Sequence, residues 1–158
     1  MRKESFRVLL DESLAPLQEI GCDGLFNLDE IEEGGGDSGR LVIRVLALDH
    51  EERVLYKKRF LSKEFLVPAL QYQLIFPSVR SWERLNDPQI GRYSIQCVDY
   101  DRDSRTVAIR TCQDLIIRIV LLDACCDVSF IGMKGHFRWK KCLCWETWDS
   151  SAQPGVGM

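Results

Sequence analysis

From Leu41 onward the chain repeats one pattern: an alternating apolar and polar run, a tight polar turn, then another such run. "LVIRVLALDHEERVLYKKRF" (41–60) reads as two strands around a turn near Asp49–Glu52. "YSIQCVDYDRDSRTVAIRT" (93–111) reads the same way around Asp101–Ser104, and "DLIIRIVLLDACCDVSFIG" (114–132) around Asp123–Asp127. Strands joined by short polar turns are the signature of β-hairpins. A period of two sends alternate side chains to opposite faces, so each hairpin has one face to bury. The run before Asp123 is apolar on both faces except at Arg118, which predicts a strand in the middle of a sheet. Residues 43–56 and 117–130 also align without gaps. Either an internal duplication or shared alternation and turn rules produces that match.

The rest of the chain is less regular. Phe6, Leu10, Leu14 and Leu17 recur at helical spacing and predict an amphipathic helix over 4–20. Pro16 weighs against it, and "FRVLLD" also fits a short strand. Residues 21–40 read as a loop, with its glycine-rich, acidic part at 32–39 predicted mobile. Ser62 can cap a short central helix that Pro68 would limit, and "LQYQLIF" alternates as a strand. The tail, "SSAQPGVGM", is predicted to be disordered. The expected fold is α+β: a mainly antiparallel sheet of about six to eight strands in hairpins, with one or two short helices, N-terminal and central. Residues 1–149 would form a single domain and 150–158 the tail.

The net charge is −3 and the isoelectric point near 5.5, which argues against nucleic-acid binding driven by bulk charge. Two local basic runs stand out: Arg53, Lys57, Lys58 and Arg59, then Lys134, Arg138, Lys140 and Lys141. On strands, such runs read most simply as solvated faces. No apolar stretch approaches the roughly 18 residues of a membrane-spanning helix. The N-terminus breaks its apolar run with Glu4, Arg7, Asp11 and Glu12, unlike a secretory signal. A cytoplasmic location without a membrane partner is therefore expected. Cys22, Cys97, Cys112, Cys125, Cys126, Cys142 and Cys144 are odd in number, so a complete disulfide framework is not expected.

The densest cluster of chemistry is "CCDVSFIGMKGHFRWKKCLCWETW" (125–148). Zinc takes about four nitrogen or sulfur ligands in a tetrahedron. Cys125 or Cys126 with His136, Cys142 and Cys144 would supply them, although no C-x2-C knuckle is present. Adjacent cysteines on a strand point to opposite faces, whereas Cys142 and Cys144 would share one. A second reading makes Trp139, Trp145 and Trp148, with Lys140 and Lys141, a partner-binding face, since aromatic residues are enriched at interface hot spots. A third makes the tryptophans packing residues and the thiols small hydrophobes.

Catalytic arrangements are sparse. There is no G-x-S-x-G, P-loop or G-x-G-x-x-G, and His50 and His136 have no local cysteine-protease signature. "DYDRDS" (99–104) spaces Asp99, Asp101 and Asp103 like a calcium loop, but Ser104 and Arg110 stand where such a loop needs glycine and glutamate. "FRVLLDESLAP" (6–16) resembles the opening of PIN-like ribonuclease domains; that resemblance implies a metal-dependent ribonuclease with Asp11 in its metal site. The leading expectation is a non-enzymatic protein–protein interaction module of the inhibitor, immunity-protein or regulatory-adaptor type. A zinc-stabilised domain and the ribonuclease are the alternatives.

Overall fold

The computed structural model describes residues 3–34, 39–142 and 146–149. The sequence-predicted tail at 150–158 and the centre of the glycine-rich loop, 35–38, lie outside the described residues. The strands are β1 (Phe6–Leu9), β2 (Leu25–Asn27), β3 (Glu32–Glu33), β4 (Leu41–Leu48), β5 (Val54–Lys58), β6 (Ser62–Phe76), β7 (Val79–Leu85), β8 (Arg92–Asp101), β9 (Thr106–Thr111), β10 (Ile116–Leu121), β11 (Cys125–Cys142) and β12 (Glu146–Asp149). One α-helix, α1 (Ala15–Gly21), and two 3-10 turns complete the described elements. The expected α+β class with antiparallel pairing holds. The strand number does not: twelve are found among the described residues.

The ladder runs β1-β11-β6-β4-β2-β8-β9-β10-β7, with β3 on β4, β5 on β6 and β12 on β11. Strands from its opposite ends, β10 and β11, bury Ile117, Ile119, Cys126 and Val128 in one shared core with β4, β6 and β9. The ladder must therefore fold back on itself. β8 makes the turn between its two halves. Arg92–Ser94 pair with β2, Ile95–Asp101 pair with β9, and a bulge separates Ile95 from Cys97. Bulges of this kind bend a strand and increase its twist.

α1 covers part of the core. Pro16 stands in its first turn, where the absent N–H is not needed, and this is why the helix begins at Ala15 and not at Glu4. Phe6–Leu9, inside the longer helix expected over 4–20, instead form β1 on the edge of β11. Leu17 and Ile20 are buried, and the Gln18 side-chain amide donates to the Val98 carbonyl at 3.1 Å.

Three expectations fail for one shared reason: strand partners are chosen across the molecule, not only across the nearest turn. The central helix does not form, because Ser62–Phe76 run as one strand whose Leu70, Tyr72, Leu74 and Phe76 alternate into the core. β4 and β5 are not a hairpin; both pair with β6, end to end. β10 and β11 are not a hairpin either. β7 and β9 occupy the two edges of β10, so the chain crosses to β6. The expectation that β10 is an interior strand holds, with Arg118 exposed and bonded to Glu83 at 3.0 Å. The aligned segments 43–56 and 117–130 thus adopt different topologies.

Pro68 explains the break between β4 and β5. Within a strand, a residue's N–H and C=O point to the same neighbour. The Pro68 carbonyl accepts the Asp49 N–H at 2.9 Å, so the donor that proline lacks also faces the β4–β5 side. There Leu48 pairs with Ala69 and Val54 with Leu66, and residues 49–53 bow out opposite Val67 and Pro68. Asp49 is only 2% exposed at the start of this excursion. Tyr72 has its hydroxyl pKa pushed up to about 12, by burial first and then by the negative charge of Asp49.

Gly39 joins the two halves elsewhere. It has φ +52°, and its carbonyl accepts the Val79 N–H at 2.9 Å. A Cβ there would lie 2.1 Å from the Val79 carbonyl oxygen. Left-handed backbone costs a non-glycine residue roughly 1–2 kcal/mol, and the clash adds to it. Gly39→Ala is therefore expected to lower unfolding stability by at least about 2 kcal/mol in urea titration, whereas Gly91→Ala, with open space around its Cβ position, is expected to lose only the backbone term.

Candidate functional site

Past Pro68 the sheet extends as an arm in the order β5-β6-β11-β12. The N-terminal part of β6 lies between β5 and the C-terminal part of β11, which pairs as far as Cys142 opposite Ser62. Register puts Leu55, Phe65 and Trp139 in one cross-strand row. The Phe65 and Trp139 rings pack 5.4 Å apart, and His50 meets Trp139 edge-on at 5.5 Å. The Arg53 guanidinium lies 5.4 Å from both the Phe65 and the Trp139 ring centres. On the opposite face Tyr56 is flanked by Lys57 at 5.3 Å and Arg138 at 5.4 Å. Cations over aromatic faces contribute roughly 0.5–1 kcal/mol each at exposed sites. Such contacts hold charged side chains in place without neutralising them.

This fold brings together basic runs about 80 residues apart in sequence. β5 and β11 flank β6, so Arg53, Lys57, Lys58 and Arg59 share the arm with Arg138, Lys140 and Lys141. Lys134 is set apart at the β11 bulge, beside Arg44 and Arg92. Sequence reasoning identified both runs but not their junction. The available signal was length: β6 spans 15 residues against 8 in β4, leaving room for β5 beside it.

The β5–β6 turn is unusual. The Arg59 N–H donates to the Ser62 carbonyl at 2.8 Å and puts Phe60 and Leu61 at the tip. Such positions favour Gly, Asn or Asp. Here a phenyl ring is 98% exposed beside an exposed leucine. Residues 53–63 hold five Lys or Arg and no Asp or Glu, a charge of +5; the whole chain carries −3, so the remainder carries −8. A cleft of about 460 Å³ opens beside the tip, with Phe65 and Trp139 in its lining and Arg53, Lys58, Arg59, Lys63 and Lys141 around it. The other edge of the arm is different, because β12 sets Glu146 opposite Lys141 and Asp149 opposite Arg138. At β5 the register sets Glu64 opposite Lys57 and Lys63 opposite Lys58.

The sequence-predicted partner face resolves unevenly. Trp139 is 8% exposed and packs beneath Arg53; it is a packing residue of the arm and not a surface anchor. Lys141 is exposed and Lys140 half-buried. Trp148 stands opposite Trp139 in the β11–β12 register, and Trp145 lies outside the described residues.

The sequence-predicted zinc ligands do not converge. Cys125, His136 and Cys142 are strung along β11, opposite Leu9, Pro68 and Ser62 respectively. At a rise of roughly 3.3 Å per residue, strand geometry holds the three far apart. Cys144 lies outside the described residues. Among the described residues no three His, Cys, Asp or Glu side chains group closely enough to hold a metal. Cys126 faces the core, where burial pushes its thiol pKa well up.

The other motifs are accounted for locally. Asp101 accepts the Asp103 N–H at 3.1 Å and the Ser104 hydroxyl at 2.9 Å, closing the β8–β9 hairpin turn, while Asp99 pairs with Arg110 at 3.1 Å. Asp11 accepts the Tyr100 hydroxyl at 2.9 Å and lies 3.8 Å from Arg102, whose side chain also bonds its backbone carbonyl. The PIN-like resemblance implies strands alternating with helices; β1 is instead followed by one short helix and a run of antiparallel strands. No helix among the described residues is long and apolar enough to cross a membrane. Comparison with known proteins finds no matching family model, no matching curated protein and no matching solved structure.

The thiols differ enough to be ordered by experiment. Cys22 and Cys112 are exposed, while Cys126 is fully buried. Native-state alkylation followed by peptide mapping is expected to label Cys112 and Cys22 and to reach Cys126 only in denaturant, since the thiolate is the reactive form. Labelling of Cys126 at the rate of Cys112 would contradict the core placement of β11.

Proposed function

We propose that this chain is a non-enzymatic protein-interaction module, acting as an inhibitor or regulatory adaptor would, and that it docks an acidic segment of a partner protein on the β5–β6 end of its arm. The observation that carries this reading is the tip itself: Phe60 and Leu61 exposed within a stretch of five cations and no carboxylates. Leaving a phenyl ring in water forgoes roughly 2 kcal/mol of burial. No backbone requirement of the turn calls for it, because neither Phe60 nor Leu61 has a positive φ. A partner that buries both tip residues gains apolar contact, and the cations around them select for negative charge and speed its arrival.

The same surface is a poor platform for nucleic acid. Single strands bind by stacking bases on open aromatic faces. Trp139 is buried and Tyr56 has Lys57 and Arg138 against its ring, which leaves Phe60 as a single fully exposed ring among the arm's described residues and not a row of stacking platforms. The charge of −8 over the rest of the chain also repels a polyanion that extends beyond the tip.

A photo-crosslinking phenylalanine analogue installed at position 60 tests this directly. The expected adduct, mapped by mass spectrometry from cells, is a protein segment rich in Asp and Glu. It should disappear when Lys57, Lys58 and Arg59 are changed to Glu. Adducts with RNA alone, or a protein adduct indifferent to those charges, would overturn the proposal.

A further inference from the structure

The outer edge of β5 carries an inference that deepens the docking role proposed above and rests on it. Among the described residues, β5 pairs only with β6, through Val54, Leu55, Lys57 and Lys58. All five of its residues are exposed, including Val54, Leu55 and Tyr56. An edge that offers apolar side chains and an unpaired backbone is a template for another strand. Natural edges are blunted by lysines and bulges, and β5 has both: Lys57 and Lys58, with a register shift between Leu55 and Lys57.

Those devices select among occupants instead of barring them all. A second copy of this chain paired edge to edge about Lys58, the centre of the basic run, would bring Lys57 against Arg59 and Lys58 against its own counterpart, and like charges opposite one another destabilise a sheet. An acidic strand meets the same row with opposite sign. From this we infer that β5 receives an extended acidic segment of a partner protein as an additional β-strand: main-chain hydrogen bonds form along the β5 edge, the partner's apolar residues cover Val54 and Leu55, and its carboxylates face Lys57, Lys58 and Arg59. This is recognition by strand addition, in which the backbone supplies affinity and the side chains supply selectivity.

The probe is a capped peptide carrying a pair of valines beside a run of glutamates, so that both strand faces match β5, compared with a twin of the same sequence N-methylated at every amide. The twin keeps the charge and loses every backbone donor. Fluorescence anisotropy on the full chain is expected to show the parent binding at least about tenfold more tightly than the twin, since several main-chain hydrogen bonds are at stake. The Lys57→Glu/Lys58→Glu variant, checked for wild-type cooperative unfolding, should lose the glutamate peptide and gain a lysine–valine peptide. Equal binding of parent and twin would overturn strand addition while leaving the acidic docking surface standing. Failure of every acidic peptide, with an oligothymidylate binding in their place, would overturn both.

Discussion

One missing N–H organises this molecule. Pro68 lies near the middle of the longest inward-alternating strand before β11, and its absent donor faces the β4–β5 side. A continuous partner strand there would leave a ladder position unsatisfied. The chain resolves this by ending β4 at Leu48, bowing out through Asp49–Arg53 and resuming as β5. On the other side β11 passes Pro68 with His136 opposite it, next to a register shift between Met133 and His136. Both neighbours of β6 are therefore irregular at the same level. Below it the strands enclose the core; above it they form an arm.

Function, on this account, follows from what the arm does not bury. Strands of the folded-back ladder surrender their apolar faces to one cluster, from Val8 to Val128. In the arm, Leu66, Val67, Phe137 and Trp139 are covered, whereas Val54, Leu55, Phe60 and Leu61 are not. Positive charge is distributed the same way, concentrated on the hairpin that carries the exposed residues. An apolar tip without charge would invite self-association; the lysines make that costly and leave an opposite-sign partner favoured. Counterions screen charges separated by more than about 8 Å at physiological salt, so the effect belongs to groups as near as neighbouring strand positions.

Much of this was legible in the sequence, and the illegible part has a definite cause. The period-two alternation of "LVIRVLAL" and "TVAIRT" revealed strands because a single strand's pattern is local. The β8–β9 hairpin was also legible, since Asp101 and Ser104 write the turn into four residues. What escaped was pairing at a distance. "LDHEERVL" has the polarity of a hairpin turn, yet it is an excursion along one side of β6, and only the proline at position 68, on the partner strand, explains it. "DACCDV" likewise marks a crossing between sheet halves and not a reversal. The basic runs were visible as two separate strand faces; nothing within either reveals that β6 joins them. Trp139 invited a surface role by its neighbours Lys140 and Lys141, and only the position of Arg53 over its ring shows it to be covered.

The central claim is that β5 presents an open edge, with β6 its one partner among the described residues. Native-state amide hydrogen exchange, resolved by residue, tests it most directly, because it reports opening strand by strand. The account predicts that β10, held between β7 and β9, is protected along its length, while alternate amides of β5, those directed away from β6, exchange at close to unstructured rates. Protection of every β5 amide at the level of β10 would show a partner strand already in place and would contradict the account.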